Sequence, residues 1–126
     1  MLALSESWKS TYPDACIGLL TMHGAGNPSY APALEKHKRA LEANIRSSYA
    51  GKTRADIRRN PTLEAYANYY KRYKKTYHVQ HQLESVALKG REIPTTAALV
   101  EAMFMAELEF LLLTAGHDLD AVVQPI

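Results

Sequence analysis

Apolar positions recur at helical spacing through the middle of the chain and cluster into denser runs near its two ends. Ala15 to Met22, Ala-Cys-Ile-Gly-Leu-Leu-Thr-Met, is a short apolar run behind Tyr12-Pro13-Asp14. Such a run, with turn formers on each side, predicts a buried strand. His23-Gly24-Ala25-Gly26-Asn27-Pro28 then breaks the chain. From Ala31 to Ser48 the pattern predicts a helix with Pro32 in its first turn. Leu34, Leu41 and Ile45, with His37 or Lys38 between them, mark its inner stripe. Lys36, Lys38, Arg39 and Arg46 then fall mostly on the solvent side.

Tyr49 to Asn60 reads as a basic connector with a turn of helix at Asp56 to Arg59. Asn60-Pro61 predicts a helix start, Asn60 as N-cap and Pro61 at the first position. That helix runs to about Tyr73, with Leu63, Tyr66, Tyr70 and Tyr73 on one face and Tyr69 and Arg72 elsewhere. A third helix is expected over His78 to Leu88, with Val79, Leu83, Val86 and Ala87 inward and Gly90 as its stop. The last spans Leu99 to Thr114, capped by Thr96 and ended by Gly116. It is apolar almost all round, so a central helix packed on several sides is expected. Asp120 to Val123 offers the start of a second strand. One or two strands cannot satisfy their own backbone groups. Their partners are expected outside these residues or in another copy of the chain, and the sequence reads as the first part of a larger domain.

The chain has 126 residues and a mass of 14.1 kDa, enough for one domain. Apolar residues make up 47% and charged residues 22%, which excludes an intrinsically disordered chain. The apolar runs are too short to span a membrane. Glu6, Trp8 and Lys9 stand where an export signal would be apolar. The one cysteine, Cys16, can form neither an internal disulfide nor a cysteine zinc cluster, and its apolar setting reads as core. A reducing, cytoplasmic setting is expected.

The net charge of +2 hides an asymmetry. Residues 35–75 hold twelve Lys/Arg against four Asp/Glu, a surplus of +8, while residues 76–126 hold two against seven, or −5. Within the basic stretch, Lys71, Arg72, Lys74 and Lys75 alternate with Tyr69, Tyr70, Tyr73 and Tyr77. Cations bind phosphates and aromatic faces stack on unpaired bases, so this mixture suits RNA with single-stranded parts. Lys52, Arg54, Arg58 and Arg59 extend it. The competing reading is that the tyrosines line the core while the lysines solvate the far side.

His117 has a side chain suited to acid–base or substrate-orienting work, with Asp118 and Asp120 near enough to hold it. A histidine just after a helix equally serves the last carbonyls, and such aspartates equally form turns. His78, His81 and Glu84 have metal-ligand spacing on a helix, but Gln80 and Gln82 beside them read as an ordinary polar face, so no metal is expected. Gly24-x-Gly26 lacks the third glycine and the Lys-Ser/Thr of a phosphate loop. No serine sits on a nucleophile elbow.

Several segments, in order and spacing, carry a resemblance. Tyr12-Pro13-Asp14-Ala15 with Ile17-Gly18, the run Tyr70 to Val79, Leu83-Glu84-Ser85-Val86, Leu99-Val100-Glu101 and Gly116-His117-Asp118-Leu119-Asp120 are similar to the B3/B4 domain family. That domain occurs in the β subunit of bacterial phenylalanyl-tRNA synthetase and in free-standing proteins. The resemblance implies an α/β (α+β) three-layer domain over residues 12–126, with residues 1–11 as an N-terminal extension. This chain would cover the helix-rich N-terminal part, with few strands.

In the synthetase the module hydrolyses tyrosine wrongly attached to the phenylalanine tRNA. His117 with Asp120 resembles its His-x-apolar-Asp segment, although Gly116 replaces an apolar residue before the histidine. The later half, with the rest of the pocket, is expected beyond this chain. The implied function is binding of tRNA or aminoacyl-tRNA, with hydrolysis of a mischarged ester through His117 and Asp120. Lys71, Arg72, Tyr73, Lys74, Lys75, Tyr77, Arg58 and Arg59 would hold the RNA, without cofactor or metal. The alternatives are a non-catalytic RNA- or small-ligand-binding module, and a partner-dependent interaction domain; another copy of the chain or the missing C-terminal half would complete the sheet.

Overall fold

The computed structural model describes residues 3–123. It contains six helices: α1 (Glu6–Thr11), α2 (Pro32–Ser48), α3 (Arg54–Arg58), α4 (Pro61–Lys71), α5 (His78–Lys89) and α6 (Ala98–Phe110). No strand forms among the described residues, which overturns the expected α/β three-layer architecture. Two compact units can be distinguished. One holds residues 27–116, with α2 to α6, and the other the described residues before and after it.

In the second unit α1 is capped by Ser5, whose hydroxyl accepts from Trp8 N at 3.2 Å. Residues 15–22, the expected buried strand, are neither paired nor buried. Ile17, Leu19, Leu20 and Met22 are exposed, and so is Cys16, which is therefore not a core residue. A strand forms only where a neighbour takes its N–H and C=O groups, and no described segment does so. Residues 120–123 form no strand either; Asp118 Oδ1 and Asp118 O accept from Asp120 N and Ala121 N, both at 3.1 Å, which makes a turn.

In the larger unit the helix starts and stops follow local chemistry. Asn60 Oδ1 accepts from Thr62 N (2.9 Å) and Leu63 N (3.3 Å), so α4 begins as its Asn-Pro pair predicts. Thr53 and Asp56 form a reciprocal capping box that starts α3 at Arg54, two residues before the predicted turn. Gly90, at φ 65°, stops α5. The start of α6 differs from expectation. Its cap residue is Ala97, and the orphan N–H groups go to remote acceptors: Ala98 N to Pro28 O (2.9 Å) and Leu99 N to Asn27 Oδ1 (2.9 Å).

The core of this unit is built from Ile45, Ile57, Leu63, Tyr77, Val79, Leu83, Val86, Ile93, Leu108 and Leu111. α5 supplies the inward stripe that its spacing predicts. α6 departs from the central helix packed on several sides that its apolar character predicts. It ends at Phe110 rather than Thr114, and Phe110, Leu112 and Leu113 are exposed. Polar side chains take the backbone that further helix would have used. Glu107 Oε1 accepts from Thr114 N and Oγ1 (both 3.0 Å), Tyr66 Oη accepts from Leu113 N (3.2 Å), and Tyr77 Oη donates to Leu111 O (3.1 Å). Leu111 makes the reversal in the left-handed region, at φ 60°.

The inner stripe of α2 also departs from its reading. Lys38, placed on the solvent side by its charge, is fully buried, and Glu42 is 1% exposed. Positions 34, 38, 41 and 45 share one helix face, so Lys38 fills the gap between Leu34 and Leu41.

Candidate nucleic-acid interface

The basic, tyrosine-rich segment lies at the C-terminal end of α4. The helix tightens there: Arg72, Tyr73 and Lys74 donate to Tyr69, Tyr70 and Lys71 carbonyls at 3.0–3.2 Å. Lys74 then turns into the left-handed region at φ 55°, and Lys75 N returns to Tyr70 O at 3.1 Å. This closes the helix as a Schellman turn does, but with lysine where glycine is the usual choice.

The turn displays its cations. Lys71, Arg72, Lys74 and Lys75 are all exposed, and no carboxylate of the described residues pairs with any of them. Elsewhere Lys38, Arg39, Arg46, Arg54 and Arg59 each meet a carboxylate. The negative end of α4 attracts cations within its last turn, which accounts for Lys71 and Arg72. Lys74 and Lys75 lie beyond that turn.

The tyrosines divide between core and surface. Tyr77 is fully buried and stacks on Tyr66 at 4.3 Å, so its expected place in an RNA-binding face is corrected: its ring holds α4 to α5 and to the end of α6. Burial, followed by the charges of Tyr66, Glu107 and Tyr70, pushes its phenol well above the ordinary value. Tyr70 is half-buried against Tyr77. Tyr69 and Tyr73 are 38% and 56% exposed, with ring centroids 5.4 Å apart. The surface thus carries two partly exposed rings, packed against each other and, for Tyr69, edge-on to Tyr70 at 5.6 Å, beside four cations that no carboxylate of the described residues pairs. Arg58 and Arg59 are exposed at the end of α3, before α4 begins, and Arg59 leans on Asp56 at 3.3 Å.

The other predicted groups are dispersed. His117 belongs to the smaller unit and is exposed. No hydrogen bond or ion pair joins it to Asp118 or Asp120, and the Asp118 carboxylate serves the turn. His78 and His81 face different carboxylates. His78 Nε2 is 3.5 Å from Glu107 Oε2, and His81 Nδ1 is 3.8 Å from Glu84 Oε2. Among the described residues no group of three or more His, Cys, Asp or Glu is placed to hold a metal ion.

Sequence reasoning missed the buried charges. Lys38 Nζ meets Glu101 Oε2 and Glu35 Oε2 at 2.8 Å each and Thr95 Oγ1 at 3.1 Å. Burial opposes its charge, but Glu101 and Glu35 outweigh that and hold the ammonium above its ordinary value. Glu101 is held below the ordinary carboxylate value by Lys38 and by Thr96 N–H, whose hydrogen bond to Oε1 is 2.8 Å. Glu42 accepts from Ile93 N at 2.6 Å and pairs with Arg39. These groups fasten residues 93–96 to α2 and α6. The one available signal was the spacing of Lys38 and Glu42 with Ile45.

No helix of the described residues is long and apolar enough to cross a membrane. Compared with protein-family models, curated proteins and solved structures, the chain matches none.

Proposed function

We propose that the chain binds RNA through the turn that closes α4, with Tyr69 and Tyr73 stacking on unpaired bases and Lys71, Arg72, Lys74 and Lys75 meeting phosphates. The observation that carries the reading is the exposure of four unpaired cations within five residues beside two exposed rings. Cations fix affinity and make it salt-dependent; rings favour single-stranded regions over duplex. The B3/B4 resemblance makes tRNA the RNA of first choice. It is also the sole support for ester hydrolysis, because His117 has no orienting partner among the described residues.

The test is fluorescence anisotropy with a tRNA, a single-stranded oligonucleotide and a duplex of equal length across a salt series. The expected order is tRNA and single strand above duplex. Lys74→Glu/Lys75→Glu is expected to lower affinity at least about tenfold and flatten the salt slope by about two. Tyr73→Ala is expected to weaken single-strand binding while leaving that slope unchanged. Equal binding by wild type and the double variant overturns the proposal. Deacylation of mischarged tRNA by the same samples, with and without His117→Ala, decides whether hydrolysis accompanies binding.

A further inference from the structure

Two histidines of α5 stand beside buried carboxylates, and the carboxylates differ in what already occupies them. Glu84 is engaged without its histidine. Arg54 Nε donates to it at 2.9 Å and Gln80 Nε2 at 2.7 Å, so His81, 3.8 Å away, adds little. Glu107 is only half engaged. Its Oε1 accepts from the backbone and hydroxyl of Thr114, while its Oε2 is buried and has no hydrogen-bond partner among the described residues. A buried carboxylate oxygen left in that state is costly. The basic atom that faces it is His78 Nε2, at 3.5 Å, well outside the about 2.7–2.9 Å of a charge-assisted bond. The His78 side chain is 48% exposed, so its ring can take a proton from solvent and has room to move inward.

From this geometry we infer that His78 and Glu107 form a proton-operated latch on the chain that leaves α6. With His78 neutral, Glu107 holds Thr114 through one oxygen while the other stays unanswered. When His78 takes up a proton, Nε2–H closes on Oε2 as an ion pair and both oxygens of Glu107 are fixed. Tyr77 and Tyr66 already tie Leu111 O and Leu113 N of the same segment, so the latch completes its fastening to α4 and α5. The tie is made while the imidazole is charged and is lost as pH rises and the proton leaves. The other groups around the pair are spoken for. Tyr66 and Tyr70 of α4 and Tyr77 are phenols, neutral near pH 7. On α5, His81 faces Glu84, which Arg54 of α3 already pairs. Lys38 and Glu42 of α2 are closed on Glu101 and Arg39.

The experiment follows the isotope-labelled full chain by NMR from about pH 8 to about pH 5.5, a range in which histidines change charge and carboxylates stay ionised. The end of a unit opens at lower free energy than its core, so the readings are local. The Thr114 amide shift is expected to move with the same midpoint as the His78 ring. Its protection from hydrogen exchange, corrected for the intrinsic rate at each pH, is expected to rise about threefold toward acid. His78→Gln keeps a polar side chain at the half-exposed first position of α5 but cannot be charged. Glu107→Gln keeps an oxygen for Thr114 but loses the charge. Each should abolish both changes, and His81→Gln should leave them intact. If Glu107→Gln does not fold, His78→Gln decides alone. A Thr114 signal that ignores pH in the wild type overturns the inference. So does a response that persists in His78→Gln, or one that disappears in His81→Gln.

Discussion

Lys38 places a full positive charge where its side chain has no contact with solvent. A buried ammonium is tolerated only with compensating carboxylates and no spare hydrogens, and Glu35, Glu101 and Thr95 together provide them. Removing one partner strands the others. Lys38→Met is expected to destabilise the domain by about 3 kcal/mol, read as a lower urea midpoint. The pH dependence has a fixed sign. Glu101 and Glu35 are held below the ordinary value of 4.5, so their stabilisation is complete above that pH and fades as pH falls through their lowered values. Lys38 is held above 10.5, so its share is complete below that pH and fades as alkali reaches the raised value. Melting temperature should therefore be nearly flat between and fall at both ends. In Lys38→Met the acid-side slope should shrink. An unchanged acid slope would show that the pair does not set it.

At the scale of elements, the ends of helices were the most legible features where a local side chain made them. Asn60-Pro61 and Gly90 announce a start and a stop through their own chemistry, and both are found where they were expected. The ends of α6 were not legible, because distant groups make them. Asn27 and Pro28 receive its first N–H groups, and Tyr66, Tyr77 and its own Glu107 hold the chain after it. Periodicity sees neither. The closing turn of α4 belongs to the same class, since a lysine at φ 55° is not a sequence signal. Lys74→Gly separates the two roles of that residue. Relief of the left-handed conformation is expected to raise stability by about 1 kcal/mol in urea melts, while loss of one cation lowers RNA affinity. Lower stability would show that the lysine side chain contributes to the fold.

For the whole molecule, the sequence pattern located five of the six helices among the described residues and most of the α5 stripe, yet neither the strands it predicts nor the three-layer α/β architecture that the resemblance implies forms there. The apolar run at residues 15–22 reads as a strand from composition alone, but a strand is a property of two segments. Among the described residues nothing pairs with it. The all-round apolar character of α6 misled in the opposite sense. Glu101 and Glu107, two of its three acidic residues, are buried, while Glu109 and Phe110 are exposed. Long carboxylate side chains reach backbone donors that shorter apolar ones cannot satisfy. The basic segment was legible as chemistry, because unpaired like charges repel one another and settle at the surface. Which tyrosine joins them was not: only packing distinguishes Tyr73 from Tyr77.

The sealed position of Lys38 also gives the protein an internal reference for covalent footprinting. An amine-acylating reagent needs a free, deprotonated and reachable nitrogen. Lys71, Lys74 and Lys75 present theirs to solvent, whereas Lys38 Nζ is enclosed and held in its protonated form. In a mass-spectrometric labelling series the three surface lysines are expected to acylate early and to be protected by bound RNA, while Lys38 stays unmodified until the domain unfolds. Its labelling rate would then measure opening of the larger unit, independently of anything that occupies the surface.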